Sequence, residues 1–229
     1  MNGPLQPDGF HDRAIPVESL EPTADSVDFD RWYGPWDPVH PGQVAKLLSG
    51  FVGPWWVAGG WAIDAFTQLP REHEDTDISI FRRDLPALRE VLAERFLLWS
   101  AGSGMLRPLN RWFPETHADS NQIWIRADHS SPWVADILLA DADEDHWICR
   151  RDPDAQWTLD EVTWVGADGV RYLNPEMALL FKCRDPRPKD VRDFHRVWPL
   201  LSGAQRSWLA RTVQRLYPEH PWLAVMLSG

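Results

Sequence analysis

Apolar residues along this chain recur at two spacings, and the changes from one to the other set the order of elements. In 43–51 the apolar positions are Val44, Leu47, Leu48 and Phe51, one face of a helix that Gly50 and Gly53-Pro54 bring to an end. Trp55-Trp56-Val57-Ala58 is a short continuous apolar run and predicts a buried strand. Residues 61–66 return to helical spacing. In 75–81 the period drops to two, with Thr76, Ile78 and Ile80 on one face. Asp84 reads as the cap of a helix to about Arg95, with Leu85, Leu88, Val91 and Leu92 buried. Further strands are predicted at 96–99, 122–126, 133–139, 146–151 and 161–165. The Gly-rich piece from Ser100 to Met105 reads as a plain turn, because it lacks the lysine and following helix of a phosphate loop. Ala167-Asp168-Gly169 is a hairpin turn whose return strand is 170–173.

Asn174-Pro175-Glu176 then starts a helix from Met177 to about Arg184, which Asp185-Pro186-Arg187-Pro188 breaks. From Lys189 onward the spacing is helical. One stripe is Val191, Phe194, Val197 and Trp198. Ser202 and Gln205 form a capping box for the next helix, with Trp208, Leu209, Thr212, Val213 and Leu216 on its face, and a short helix closes the chain. Residues 1–41 are rich in Pro, Asp and Glu and show little periodicity; they read as an extended arm packed through Trp32, Tyr33 and Trp36. The pattern is that of an α+β chain in three parts: an arm (1–41), a mixed helix and strand region (42–173) and a helical region (174–229).

Two features of 55–81 carry chemistry. Asp75 and Asp77 are two residues apart on an alternating stretch, so both carboxylates project from one side of the predicted strand. Like charges held that close are costly unless a cation sits between them, and hard oxygen ligands suit Mg²⁺. Gly59-Gly60, between strand and helix, lets backbone approach a ligand and aims the first free N–H groups of the helix at it. A phosphate bound there lies across from the aspartates. Asp136 interrupts an otherwise apolar strand, where a charge is expensive unless it is paired or metal-bound. It is read as a third ligand, with a structural ion pair or solvent exposure as the alternatives.

Composition narrows the choices. The net charge of −11 argues against a nucleic-acid partner, which would normally meet a basic face. An acidic surface is compatible with a cationic small substrate, and equally with mere solubility. Cys149 and Cys183, the two cysteines of the chain, form no metal or redox motif and read as free thiols in a reducing cytoplasm. The polar start of the chain, Met1-Asn2-Gly3-Pro4, does not read as a signal peptide, and no apolar run is long enough to cross a bilayer. Fifteen tryptophans are many for this length, and core packing accounts for most of them without a ligand.

Gly59-Gly60-Trp61-Ala62-Ile63-Asp64, then Arg71 and His73, then Asp75-Thr76-Asp77-Ile78, together resemble the antibiotic nucleotidyltransferases. The likeness is to the aminoglycoside 2″-nucleotidyltransferases first and the lincosamide enzymes next, within the DNA polymerase β-like superfamily. It is dense from about Val57 to Ile80, weaker to about Leu139, and rests on Lys182 alone beyond that. The resemblance implies a polymerase β-like core of mixed sheet flanked by helices, followed by a helical region. It implies two Mg²⁺ ions on Asp75 and Asp77, with Asp136 completing the site and serving as general base. Gly59 and Gly60 would cradle the β and γ phosphates of a nucleoside triphosphate, ATP first, with Arg71 assisting and Lys182 neutralising charge. The acceptor implied is a hydroxyl of a small aminoglycoside- or lincosamide-like antibiotic.

Several positions keep a second reading. The long chain between Asp77 and Asp136 leaves Asp119 and Asp128 as alternatives for the third carboxylate. Arg71 could pair with Glu72 or Glu74 in a surface turn, and Lys182 could simply serve the end of its helix. His73 is read as shaping the turn through backbone hydrogen bonds, and Asp64 as fixing local structure. Asp141, Asp143, Glu144 and Asp145 read as a solvated loop. Two other functions stay open: a toxin-type enzyme modifying tRNA or protein, through a basic patch at Arg184, Arg187, Lys189 and Arg192, and a non-catalytic nucleotide-binding partner protein.

Overall fold

A computed structural model describes residues 30–102 and 104–228. The expected arm therefore lies outside the described residues for 1–29. Of its remainder, 30–33 form a helical turn rather than an extended arm, and 35–39 run along the sheet: Asp37 N donates to Trp133 O at 2.9 Å, Trp133 N to Pro35 O at 2.9 Å, and Val39 N to Val134 O at 2.9 Å. Tyr33 and Trp36 pack on a small cluster of Ala101, Trp124 and Trp133. Trp32, expected to pack as well, is 61% exposed.

Helix α1 (Pro41–Leu47) begins two residues earlier than the apolar stripe suggests. Pro41 stands at its first position, His40 caps Gly42 N, and Gln43 Oε1 accepts from His40 N at 2.9 Å. Strand β1 (Trp55–Val57) then feeds helix α2 (Gly59–Thr67). Strand β2 (Asp77–Phe81) follows, starting two residues later than the alternation predicts. Asp75 lies ahead of it, its carbonyl accepting from Trp61 Nε1 at 3.1 Å.

After β2 comes a 3₁₀ turn (Arg82–Asp84) and helix α3 (Leu85–Leu92). Asp84 belongs to that turn, has helical backbone angles and caps nothing, because a true cap needs an extended backbone. Strands β3 (Leu97–Gly102) and β4 (Met105–Leu109) form a hairpin, so most of the piece expected as a turn, Ser100–Gly102 and Met105, is strand, while β4 carries Pro108 and shows no clear alternation to betray it. Strands β5 (Gln122–Arg126) and β6 (Ala135–Ala140) follow.

A second, three-stranded sheet is built from β7 (Ala142–Asp143), β8 (His146–Ile148) and β9 (Gln156–Thr158). The acidic turn around it is less free than expected, since Arg82 Nε donates to Asp141 Oδ1 at 2.7 Å. Of the strand predicted at 161–165, residues 161 and 162 instead end helix α4 (Leu159–Val162). Glu161 Oε2 accepts from Thr158 N at 2.8 Å and Thr158 Oγ1 at 2.7 Å, which closes a helical turn before β10 (Thr163–Val165) and its partner β11 (Arg171–Leu173).

The large sheet has the order β10-β11-β1-β2-β6-β5-β3-β4, with β1–β11 and β2–β6 parallel and the rest antiparallel. Ile78, Ile80, Ile123, Ile125 and Ile137 alternate onto one face and are fully buried. The opposite face carries Trp56, Asp77, Ser79, Trp124 and Asp136. Helices α5 (Pro175–Lys182), α6 (Pro188–Val197), α7 (Gly203–Leu216) and α8 (Leu223–Met226) complete the chain. Helix α2 packs on α5 and α6, and α5 on α7. This is the α+β architecture expected, a mixed sheet flanked by helices. One hydrophobic cluster runs through it from Val44 to Met226.

Ser202 and Gln205 cap α7 reciprocally, as the sequence indicates: Ser202 N donates to Gln205 Oε1 at 2.9 Å and Gln205 N to Ser202 Oγ at 3.3 Å. Ser202→Ala should therefore lower unfolding free energy by about 1 kcal/mol. Urea denaturation checks this; an unchanged midpoint would show the cap to be dispensable.

Candidate active site

A cavity of about 750 Å³ opens on the carboxylate face of the sheet, within the size range of small-molecule sites. Its floor is β2 and β6. These strands are parallel and in register, Asp77 against Asp136 and Ile78 against Ile137, so the two aspartates point the same way from adjacent strands. Asp136 is 3% exposed. Its Oδ2 accepts from Gln122 Nε2 at 2.6 Å, while Oδ1 has no well-formed hydrogen bond, the Trp124 indole lying near it. Burial, with the charges of Asp77 and Asp75, pushes the Asp136 carboxyl well above the usual carboxylate range. Burial and Asp75 push Asp77 up to about 7, against the pull of Lys182, Arg187 and Lys189. Asp75 is exposed, ahead of the strand, and lines the same cavity.

The glycine pair does two different things. Gly59 has φ +59°, and a Cβ there would lie 1.8 Å from Asp77 Oδ2. The Asp77 carboxylate can rest against the start of α2 only because that side chain is missing. A Cβ on Gly60 would lie 2.3 Å from Arg71 Nη2 and 2.8 Å from the His73 ring. Gly59 is part of the cavity wall; Gly60 and Arg71 lie beside that wall rather than in it.

Behind them is a buried knot. Asp64 is 7% exposed, and its Oδ2 meets Arg71 N at 2.7 Å and His73 Nε2 at 2.8 Å. His73 stacks on Trp61, ring centres 4.0 Å apart, and burial lowers its pKa. His73 thus shapes the turn through a carboxylate, where backbone hydrogen bonds were expected. Arg71 pairs with neither Glu72 nor Glu74 side chain: its guanidinium donates to Glu72 O at 2.9 Å and stands 3.6 Å from Asp193 Oδ2.

Across the cavity from the aspartates is a cationic wall. Lys182, at the end of α5, stands 2.5 Å from Asp190 Oδ1 and 3.1 Å from Asp193 Oδ2, its side chain 10% exposed. Arg184, Arg187 and Lys189 line the cavity with it, while Arg192 is exposed on α6. The alternative carboxylates do not come here. Asp119 and Asp128 are both exposed and outside the cavity wall, and Asp128 is bound to Ser130 and Ser131 within its own turn. Among the site residues read from sequence, the fold gathers Asp75, Asp77, Asp136, Gly59 and Lys182 around one cavity. The sequence reading missed Gln122, Asp190 and Asp193. Gln122 opens an alternating strand next to Trp124, which was a usable signal. Asp190 and Asp193 border the Val191–Phe194–Val197 stripe of α6, a weaker one.

Paired strand carboxylates beside a glycine-opened helix, with lysine and arginine side chains lining the same cavity, can hold metal ions and phosphate groups. Residues 42–101 match the model of the aminoglycoside-2″-adenylyltransferase family, in line with the resemblance read from the sequence. Among solved structures, the chain is similar to the lincosamide antibiotic adenylyltransferase LnuA with lincomycin bound, at 16% identity and TM-score 0.49, covering 72% of this chain and 99% of that one. It is also similar to the antibiotic-resistance factor ANT(2″)-Ia in solution, at 19% identity and TM-score 0.46, covering 78% and 92% of the two chains. The complex of ANT(2″)-Ia with adenylyl-2″-tobramycin gives 13% identity, TM-score 0.48, and coverage of 76% and 97%. No curated protein matches the chain.

Two outcomes follow from this geometry. Gly59→Ala should cost at least about 1–2 kcal/mol from the left-handed backbone alone, before the collision with Asp77 is added. Gly203→Ala, where a Cβ meets nothing within 4 Å, should be neutral or slightly stabilising. Equal losses in the two variants by urea denaturation would contradict the close approach at Gly59. The second outcome concerns pH. The Asp77 carboxyl holds its proton up to about 7 in the fold, against an ordinary 3.8. Between those values the unfolded chain has released a proton that the folded chain keeps, so rising pH destabilises the cation-free protein across that window. Asp77→Asn should remove that contribution and, in EDTA at pH 8, unfold at a higher temperature than wild type. Parallel melting curves for the two proteins from pH 4 to 8 would contradict it.

Proposed function

We propose that this protein transfers a nucleoside monophosphate, AMP from ATP foremost, to a hydroxyl of a small aminoglycoside- or lincosamide-like molecule. The observation that carries the reading is the in-register pair Asp77 and Asp136, facing Gly59 on one side and the Lys182 wall on the other. The family model matched over 42–101 supports it.

The donor set fits divalent cations. The half-buried Asp77 and the buried Asp136 lie abreast with raised pKa values, and Asp136 Oδ1 is left without a well-formed hydrogen bond. Among the described residues no three His, Cys, Asp or Glu side chains form a ready-made metal cage. Mg²⁺ is usually held by one or two carboxylates, with substrate phosphates completing the shell. Asp77 with Asp75 and Asp136 would hold two such ions, which supply charge neutralisation at the phosphate oxygens.

The remaining work falls to the chain's own groups. Free N–H groups at the start of α2, beside Gly59, would receive phosphate oxygens, and Lys182, Arg187 and Lys189 would balance the triphosphate charge. Arg71 would support this side from behind Gly60. Asp136, its carboxylate fixed by Gln122, would accept the proton of the acceptor hydroxyl. That oxygen forms its bond to the α-phosphorus as the bond to the pyrophosphate oxygen breaks in line, and pyrophosphate leaves. Arg184, Arg187 and Lys189 face the cavity, which favours a triphosphate over a nucleic-acid acceptor as the partner of these charges. No helix among the described residues is long and apolar enough to cross a membrane, and Cys149 and Cys183 are free and buried. The two free thiols agree with work in a reducing cytoplasm.

The test is incubation with ATP, Mg²⁺ and a panel of aminoglycosides and lincosamides, read by mass spectrometry and pyrophosphate release. An AMP adduct on one member is expected. Asp136→Asn should slow its formation by about 10²–10⁴-fold. No adduct with any acceptor counts against the function, and an unimpaired Asp136→Asn against the assigned base.

A further inference from the structure

Asp193 has no part in the metal or phosphate contacts of the cavity. It is 1% exposed where α6 meets α2 and α5. Its Oδ2 stands 3.1 Å from Lys182 Nζ and 3.6 Å from Arg71 Nη2, and its Oδ1 3.7 Å from Arg196 Nη1. The neighbouring Asp190 has a local reason to be there: it accepts from Arg187 N at 3.1 Å and so caps α6. Asp193 caps nothing and is no part of the cavity wall. A buried carboxylate is costly, and what justifies this one is the cations it holds.

Those cations border opposite sides of the cleft. Lys182 is in the wall facing Asp77, and Arg71 lies against Gly60 at the start of α2. We propose that Asp193 is a positioning residue that fixes Lys182 relative to Arg71, and so sets the cationic frame that receives a nucleoside triphosphate. The inference rests on the nucleotidyltransferase reading. Lysine is a compact charge on a flexible stem, so it needs an anchor to hold one position. The Lys182 ammonium already acts on Asp77 through space. Without Asp193 it is held by Asp190 alone, and its place relative to Arg71 is no longer fixed.

The sign of the effect separates positioning from simple charge. Asp193→Asn makes the site more positive, so if net charge alone governed binding, a triphosphate would bind more tightly. The positioning account requires weaker binding. Calorimetric titration of the whole chain with α,β-methylene-ATP and Mg²⁺ decides between them, using wild type, Asp193→Asn, Lys182→Met and the double variant. Asp193→Asn should weaken affinity about tenfold, with its nucleotide-free melting midpoint showing that the fold is kept. In the Lys182→Met background it should add little, because its main partner is gone. Should Asp193→Asn not fold, Asp193→Glu keeps the charge but displaces it by one methylene, and should also weaken binding. Unchanged or tighter binding by the folded variant, or an effect that persists undiminished without Lys182, overturns the inference alone. Absence of binding by wild type overturns the nucleotidyltransferase reading and this inference with it.

Discussion

Asp77 and Asp136 stand in register on the parallel strands β2 and β6, and the Asp77 carboxylate occupies the place where a side chain on Gly59 would have to be. Like charges so placed repel, and burial adds to the cost of ionising either. A fold keeps such a pair ready to ionise when its backbone is held rigidly and a positive partner is on hand. Both conditions are met. Parallel pairing runs from Asp77↔Asp136 to Phe81↔Ala140, and Asp136 N extends it by donating to Thr76 O at 3.0 Å. Lys182, Arg187 and Lys189 draw Asp77 towards ionisation from across the cavity. The strain of the pair is then a reservoir that cation binding can release.

Much of the surrounding structure serves to keep this arrangement in place. Fully buried isoleucines fix β2, β5 and β6 from the far face. The segment 35–39 is hydrogen-bonded alongside Trp133 and Val134, and Thr76 Oγ1 donates to Val39 O at 2.6 Å, which ties the approach to β2 to that segment. Asp64 gathers Arg71 and His73 at the far end of α2. The cations come from α5, α6 and the turn between them, so the helical part of the chain supplies one wall and the sheet the other. Asp190 and Asp193, both on α6, hold Lys182 of α5 against that helix.

The legible parts of this protein were those written in local patterns. Alternation at Thr76, Ile78 and Ile80 located β2, the apolar run broken by one charge located β6, and Ser202 with Gln205 gave the start of α7. Asp136 was conspicuous because an isolated carboxylate in an apolar strand has no local explanation. What failed to show was set by contacts distant in sequence or by competing local bonds. Glu161 closes a capping box that turns a strand-like run into helix. Asp84 falls in a 3₁₀ turn because Arg82 is tied to Ser120, Asn121 and Asp141, far along the chain. Gly59 and Gly60 looked like equivalent members of one turn, yet one makes room for a carboxylate and the other for an arginine and a histidine. Asp193 reads in sequence as an ordinary helix acid, and only the folded arrangement makes it a link between Lys182 and Arg71.

The central claim is that the two strand carboxylates and the Gly59 turn face one another as the metal and phosphate sides of a single site. A crystal structure of the chain with Mn²⁺ and α,β-methylene-ATP, phased to show anomalous scattering from manganese, tests it most directly. The account requires manganese peaks in contact with Asp77 and Asp136, and phosphate oxygens at the backbone amides that open α2. Manganese bound elsewhere, or a triphosphate lodged away from Gly59, would contradict it.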